Sequence, residues 1–174
     1  MTLLPWLPAL VLLDQYNGDW PKYCDAVYAS FCADFITSKP KLNGWTVTPQ
    51  KFKEPDGKEQ AFWHLISEGI TEADRTPDIR RYERIKWPKS MIEKVLALSL
   101  PWWYEPRGNK QMLHIALEDF SYVVVMSRRK GYFLLWTAYC TERESRRATL
   151  RGKFDSFTKM ARAAITGGSE TPST

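Results

Sequence analysis

The stretch from residue 101 to 141 restricts the fold more than any other part of the chain. It carries runs of aromatic, aliphatic and β-branched residues at 102–105, 112–117, 122–126 and 132–140. Between them stand Pro106-Arg107-Gly108-Asn109, then Glu118-Asp119, then Arg128-Arg129-Lys130-Gly131. Short polar breaks between runs of this composition connect hairpins, because a parallel crossover needs a dozen or more residues. The expectation is a four-stranded antiparallel meander. Such a sheet has an apolar face, and the rest of the chain has to cover it.

The cover is visible upstream. Trp20, Tyr23, Cys24, Val27, Tyr28, Phe31, Cys32, Phe35 and Ile36 recur at helical spacing, so residues 20–36 predict a helix with one broad apolar stripe. Asp19 suits its N-cap, Pro21 its first turn, and Lys39-Pro40 ends it. Asn43-Gly44 and Pro55-Asp56-Gly57 read as turns, with Trp45, Val47 and Pro49 extended between them. Residues 59–66 are ambiguous between helix and strand, and Gly69 closes them. A charged helix is expected to open at Thr76-Pro77-Asp78, with Thr76 as cap, and Pro88 separates it from a second helix over 90–98. A basic helix over about 142–164 closes the domain.

Helices first and a meander afterwards predict an α+β fold in which N-terminal helices pack on one face of the sheet. The expected organisation is a single domain over 1–165, with its core at 35–158 and a flexible tail at 166–174. The apolar start, residues 1–13, lacks a basic leader and a small-residue cleavage site, and it contains Pro5 and Pro8. It reads as a segment packed on the domain, not as a signal peptide. No apolar run reaches the roughly 18 residues of a membrane span. Cys24, Cys32 and Cys140 form no ligand or redox pattern, and the first two would lie about 12 Å apart along one helix. Free thiols and a cytoplasmic location are the expectation.

The chain has 25 Lys and Arg against 20 Asp and Glu, a net charge of +5, which suits a polyanionic partner or solubility alone. Phosphate-binding glycine loops, a nucleophile elbow and a His-Glu-x-x-His zinc motif are absent, and the two histidines, His64 and His114, have no acidic cluster with metal-ligand spacing. No cofactor or metal is expected. What remains suits general acid/base chemistry on RNA: an imidazole to move a proton and guanidinium groups to hold the phosphate oxygens.

His64 lies within the apolar run Phe62-Trp63-His64-Leu65-Ile66. It reads either as a hydrogen-bonded core histidine or as the proton-transfer group. His114 alternates with apolar neighbours and is expected to face outward from a strand. Arg80 and Arg84 share a helix face, and with Arg81 they form either a solvated charged surface or a phosphate clamp. Arg107 and Lys110, at a hairpin turn near Trp102, Trp103 and Tyr104, suit phosphate holding beside a stacked base. Thr137 and Tyr139 have strand period two and should share a face opposite Trp136 and Ala138. Arg143, Arg146, Arg147, Arg151, Lys153, Lys159 and Arg162 make the last helix a phosphate-binding stripe or a solvated surface.

Four blocks resemble a known family. Gly57-Lys58-Glu59-Gln60-Ala61-Phe62-Trp63-His64-Leu65-Ile66, the run from Pro77 through Arg80, Arg81, Tyr82, Glu83 and Arg84 to Trp87, Trp103 with Arg107, and Leu135-Trp136-Thr137-Ala138-Tyr139 are similar to the phage-type barnase/EndoU/colicin/RelE-like (BECR) nucleases. The basic segment leading to Lys153-Phe154 resembles the family's end, so the similarity spans about residues 35–158. It implies helices on a four-stranded antiparallel sheet and a metal-independent ribonuclease of toxin or phage-conflict biology. RNA, such as tRNA or mRNA, would be the partner, with an antitoxin or immunity protein beside it. The residues it implies for catalysis are His64, Arg81, Arg84, Thr137 and Tyr139, with Arg107 holding a flanking phosphate; Arg80 fits the motif as well as Arg81 does. Trp103, Arg80, Lys110, Arg151 and Lys153 are the expected substrate contacts around them. The alternative is a nucleic-acid- or protein-binding module of the same fold without catalysis, such as a phage-encoded inhibitor.

Overall fold

The computed structural model describes residues 4–52, 54, 56–69 and 74–166, with side chains as far as 161. The expected tail beyond Thr166, the first three residues, Pro55 of the second expected turn and the Arg162 side chain lie outside the described residues.

The amphipathic stripe forms helix α1 (Trp20–Phe31), and one wider π-type turn, Cys32–Thr37, continues it. The Asp19 side chain accepts the Lys22 backbone N–H at 3.1 Å, satisfying one of the helix's orphan donors. Tyr23, Val27, Phe31 and Phe35 point inward and are fully buried. Strands β1 (Lys41–Leu42) and β2 (Trp45–Pro49) are joined by Asn43 and Gly44 at φ 48° and 82°, the left-handed pair a tight hairpin requires. The ambiguous segment is a helix, α2 (Gln60–Ile66). A two-stranded ribbon follows, β3 (Ser67–Glu68) with β4 (Thr76–Pro77).

Thr76 and Pro77 therefore belong to a strand, not to a helix start. The cap is Asp78, whose carboxylate accepts the Arg80 N–H at 3.0 Å, and helix α3 (Ile79–Glu83) is only five residues long. Helix α4 (Trp87–Lys94) takes Pro88 into its own first turn, where no N–H is needed. The remaining strands are β5 (Trp102–Arg107), β6 (Lys110–Ala116), β7 (Tyr122–Arg128) and β8 (Tyr132–Cys140), and helix α5 (Glu144–Thr166) ends the described chain.

The fold is α+β. The expected sheet of four antiparallel strands is corrected: six strands run in the order β1-β2-β8-β7-β6-β5, and the sheet is mixed. Strands β5 to β8 pair antiparallel in sequence order, and β2 then adds parallel to β8, Thr46 opposite Tyr132 through Pro49 opposite Leu135. The physical reason is the edge of β8. A nine-residue apolar strand with one unpaired side invites association, and β2 covers it.

The N-terminal helices α1 to α4 lie on one face of the sheet as expected, and the closing helix α5 covers the other. Tyr122, Val124 and Met126 of β7 point into the main core beneath α1 to α4, while Val123 and Val125 point into a second core capped by Leu150, Phe154 and Phe157 of α5. Both faces of the strand are covered, which is why its sequence is continuously apolar and does not alternate. Residues 6–16 pack on the main core. The Val11 N–H reaches the Glu83 carbonyl at 2.9 Å and the Trp87 indole N–H the Pro8 carbonyl at 3.0 Å. Among the described residues no helix is long and apolar enough to cross a membrane. Cys24, Cys32 and Cys140 are free thiols.

Candidate functional site

A break in the β7–β8 ladder builds the site. Thr137 stands opposite Val125 and Leu135 opposite Met126, so Trp136 is an extra residue with no partner of its own, a β-bulge. Strict alternation would send Trp136 to the face away from Thr137 and Tyr139. The bulge instead brings all three to the wall of one cleft of about 450 Å³.

The opposite wall comes from the end of α2 and the ribbon after it. His64, in the last turn of α2, is half-buried and lines the cleft. Its backbone carbonyl, one of the orphan acceptors of a helix end, accepts the Thr137 hydroxyl at 3.1 Å, which ties α2 to the bulge. Ser67 and Glu68 follow on β3, then Gly69. At φ 156° a Cβ on Gly69 would lie 2.8 Å from the Asp74 carbonyl oxygen, so only glycine lets the chain pass there.

Three guanidinium groups enter from three segments: Arg75 before β4, Arg81 on α3 and Arg107 at the end of β5. Arg81 donates to the Ser67 carbonyl at 2.6 Å and lies 3.4 Å from Asp78 and 3.9 Å from Glu68, so it braces α3 against the cleft floor. Asp78 loses solvation on burial, yet its bonds to Arg80 and the charge of Arg81 outweigh that loss and hold its carboxyl below the usual range. The Arg107 guanidinium lies 5.4 Å from the centre of the Trp136 ring and the Lys110 ammonium 5.3 Å, so two cations sit over one aromatic of the cleft wall. Burial pushes the Tyr139 phenol up, only partly opposed by Arg146, so it stays protonated and able to donate at neutral pH.

The remaining expected residues lie elsewhere. Arg80 pairs with Asp78 and Glu142 and does not line the cleft, whereas Arg81 does. Arg84 is the C-cap of α3. It bonds the Arg80 carbonyl and Glu83 and stacks 4.9 Å from Trp87, and it does not line the cleft. Trp103 is fully buried in the second core, stacked on His114 at 5.0 Å with its N–H held by Glu105 at 2.7 Å, so it offers no surface to a base. Lys153 is ion-paired with Glu105 at 2.6 Å, and Arg151 lies over Phe120.

His114 is not outward-facing, since α5 covers that face of the sheet and leaves its side chain 12% exposed. Burial holds this imidazole below its ordinary 6.5, against the pull of Glu105. Burial also works against the Glu105 carboxylate, but Lys153, the Trp103 N–H and His114 together outweigh it and keep its pKa below the usual range.

Arg75 escaped the sequence reading, because a single arginine in a loop has no periodicity or spacing to announce it. Among the described residues, no three His, Cys, Asp or Glu side chains gather as a metal site needs. One imidazole, three guanidiniums and a protonated phenol around an open cleft can exchange a proton and hold a phosphodiester. No family model, curated protein or solved structure matches the chain.

Proposed function

We propose that the chain is a metal-independent endoribonuclease and that the cleft between α2 and the β8 bulge is its active site. The observation that carries the reading is convergence. His64, Arg75, Arg81, Arg107 and Tyr139, from five separated segments, line one cavity. His64 takes the proton of the ribose 2′-hydroxyl, and the 2′-oxygen attacks the adjacent phosphorus. Guanidinium groups neutralise the equatorial oxygens, and the 5′-oxygen leaves with a proton from the Tyr139 phenol, to which the proton held by His64 then returns through water. The product is a 2′,3′-cyclic phosphate. Thr137 and Arg81 act as positioning groups. Helices followed by antiparallel β5 to β8 accord with the BECR resemblance, to which β1 and β2 are additions. That resemblance suggests a toxin or phage-conflict effector acting on tRNA or mRNA in the cytoplasm, restrained by an antitoxin or immunity protein. The free thiols accord with a reducing compartment.

A second reading has its own support. Arg81 already gives an N–H to the Ser67 carbonyl and lies against Asp78 and Glu68, and the Thr137 hydroxyl is given to the His64 carbonyl, as in a cleft built to bind without cleaving. That reading is a nucleic-acid- or protein-binding module, such as a phage-encoded inhibitor. Incubation of the purified protein with total RNA in EDTA, beside a folded His64→Ala variant, separates the two. Cleavage that survives chelation, leaves cyclic phosphate ends and disappears in the variant supports the nuclease. Intact tRNA, rRNA and mRNA, with RNA retention indifferent to His64→Ala and weakened by Arg107→Gln, supports the binder.

A further inference from the structure

The other face of the sheet carries a second cavity, away from His64. The cover formed by α4 and the β1–β2 hairpin stops short of the β5 edge and leaves a groove of about 250 Å³. Leu113, Ile115 and Phe133 form its floor, and Trp45 and Trp102 flank it. Its rim stays open: Leu96 is 57% and Trp102 37% exposed. One charged group lines it, Arg128, whose guanidinium is held 5.2 Å from the centre of the Trp45 ring. Among the described residues no carboxylate pairs with Arg128.

An exposed arginine normally gains little from being held in place, and its entropy favours motion. Here the stacking aims a planar two-donor fork at the mouth of an apolar pocket without an acid to receive it. That is half of a bidentate carboxylate site, the other half being supplied by a ligand. The lining restricts the occupant further. A polyanion needs several cations, and the groove has one. A second copy of the chain would bring its own Arg128 and a like net charge of +5 against this one. At about 250 Å³ the groove lies just below the roughly 300–1,000 Å³ of drug-sized sites, room for a single ring or a short branched chain.

We propose that this groove binds a small amphiphilic anion, an apolar body bearing one carboxylate, with the body between Trp45 and Trp102 and the carboxylate on Arg128. The site is independent of the proposed nuclease cleft and stands whether or not RNA is cleaved.

The test uses 4-phenylbutyrate as probe, with its neutral amide as control, followed through the indole N–H signals of the full chain by heteronuclear NMR. Saturable shifts at Trp45 and Trp102 are expected, with the amide about tenfold weaker, the scale of one charge-assisted pair. Arg128→Gln should bring acid and amide level, Arg128→Lys should keep part of the preference, and Leu96→Trp, a filling of the exposed rim, should block both. Absence of saturation, equal affinity of acid and amide for the unaltered protein, or shifts centred on Trp136 would each overturn the proposal. So would light scattering that finds a dimer which Leu96→Trp dissolves, since the groove would then belong to a second copy.

Discussion

The two histidines are flanked by similar apolar neighbours in the sequence and end in opposite situations. His64 closes a short helix at the rim of a polar cleft. His114 sits mid-strand under α5, stacked within 12° of parallel on the Trp103 ring, with its Nε2 3.8 Å from Glu105. The difference teaches that flanking apolar residues do not decide what a histidine does. Its place within the element does: a helix end leaves the ring at the surface of the core, whereas an internal strand position hands it to whatever packs above.

The strongest way to break this contrast is to exchange the losses. His64→Ala should reduce RNA cleavage by about 10²–10⁴-fold, the span of one lost general base, with little change in the urea midpoint. His114→Phe should keep cleavage within a few-fold. A reversal of the two results would remove His64 from the chemistry. Next in size, Trp103→Ala empties a fully buried aromatic site and should cost about 3–5 kcal/mol in urea unfolding, leaving His114 without its platform. A loss under 1 kcal/mol would mean that α5 holds the second core without it.

A smaller effect sharpens the cleft's side of the comparison. Arg107→Gln, at an exposed hairpin end, should weaken RNA binding about uniformly across sequences and lower the salt slope of log K by about one unit. An unchanged slope would place the RNA elsewhere.

The smallest effect is pH-dependent. Because the folded pKa of His114 is depressed below 6.5, the unfolded chain binds more protons, so stability falls as the pH drops below about 6.5. Glu105, also depressed, contributes in a separate window and loses its contribution as the pH falls below its ordinary 4.5. Urea midpoints of the unaltered protein at pH 7.5 and 5.5 should therefore differ by more than those of His114→Phe. Equal differences would assign the slope to other groups.

Much of the fold was legible because one periodicity dominates each segment. The stripe from Trp20 to Ile36 has no strand alternative, and Asn43-Gly44 has hardly any use except a tight turn. The parallel partnership of β2 was hidden, since nothing in Trp45, Val47 or Pro49 names a distant strand. The continuous run of Val123, Val124 and Val125 carries the sign that both faces are covered, since a strand with one wet face would alternate. In the site, residue type together with the family resemblance pointed to His64, Arg107, Thr137 and Tyr139 and left Arg80 and Arg81 open. The bulge at Trp136 is a property of two strands together and has no signature in one of them. Trp103 misled because an aromatic beside a basic turn reads the same whether its ring faces solvent or α5.

The parallel junction of β2 with β8 has a consequence for the order in which the protein can be made. Thr46 meets its partner only when Tyr132 has left the ribosome, and the bulge that completes the cleft follows immediately. Until then Val27, Phe31 and Phe62 have helices, but the β2 and β8 part of the sheet that completes their core is missing. A nascent chain stopped anywhere before β8 is thus both sticky and inert. Whatever the cleft does begins only after β8 has been synthesised, a built-in delay between translation and action.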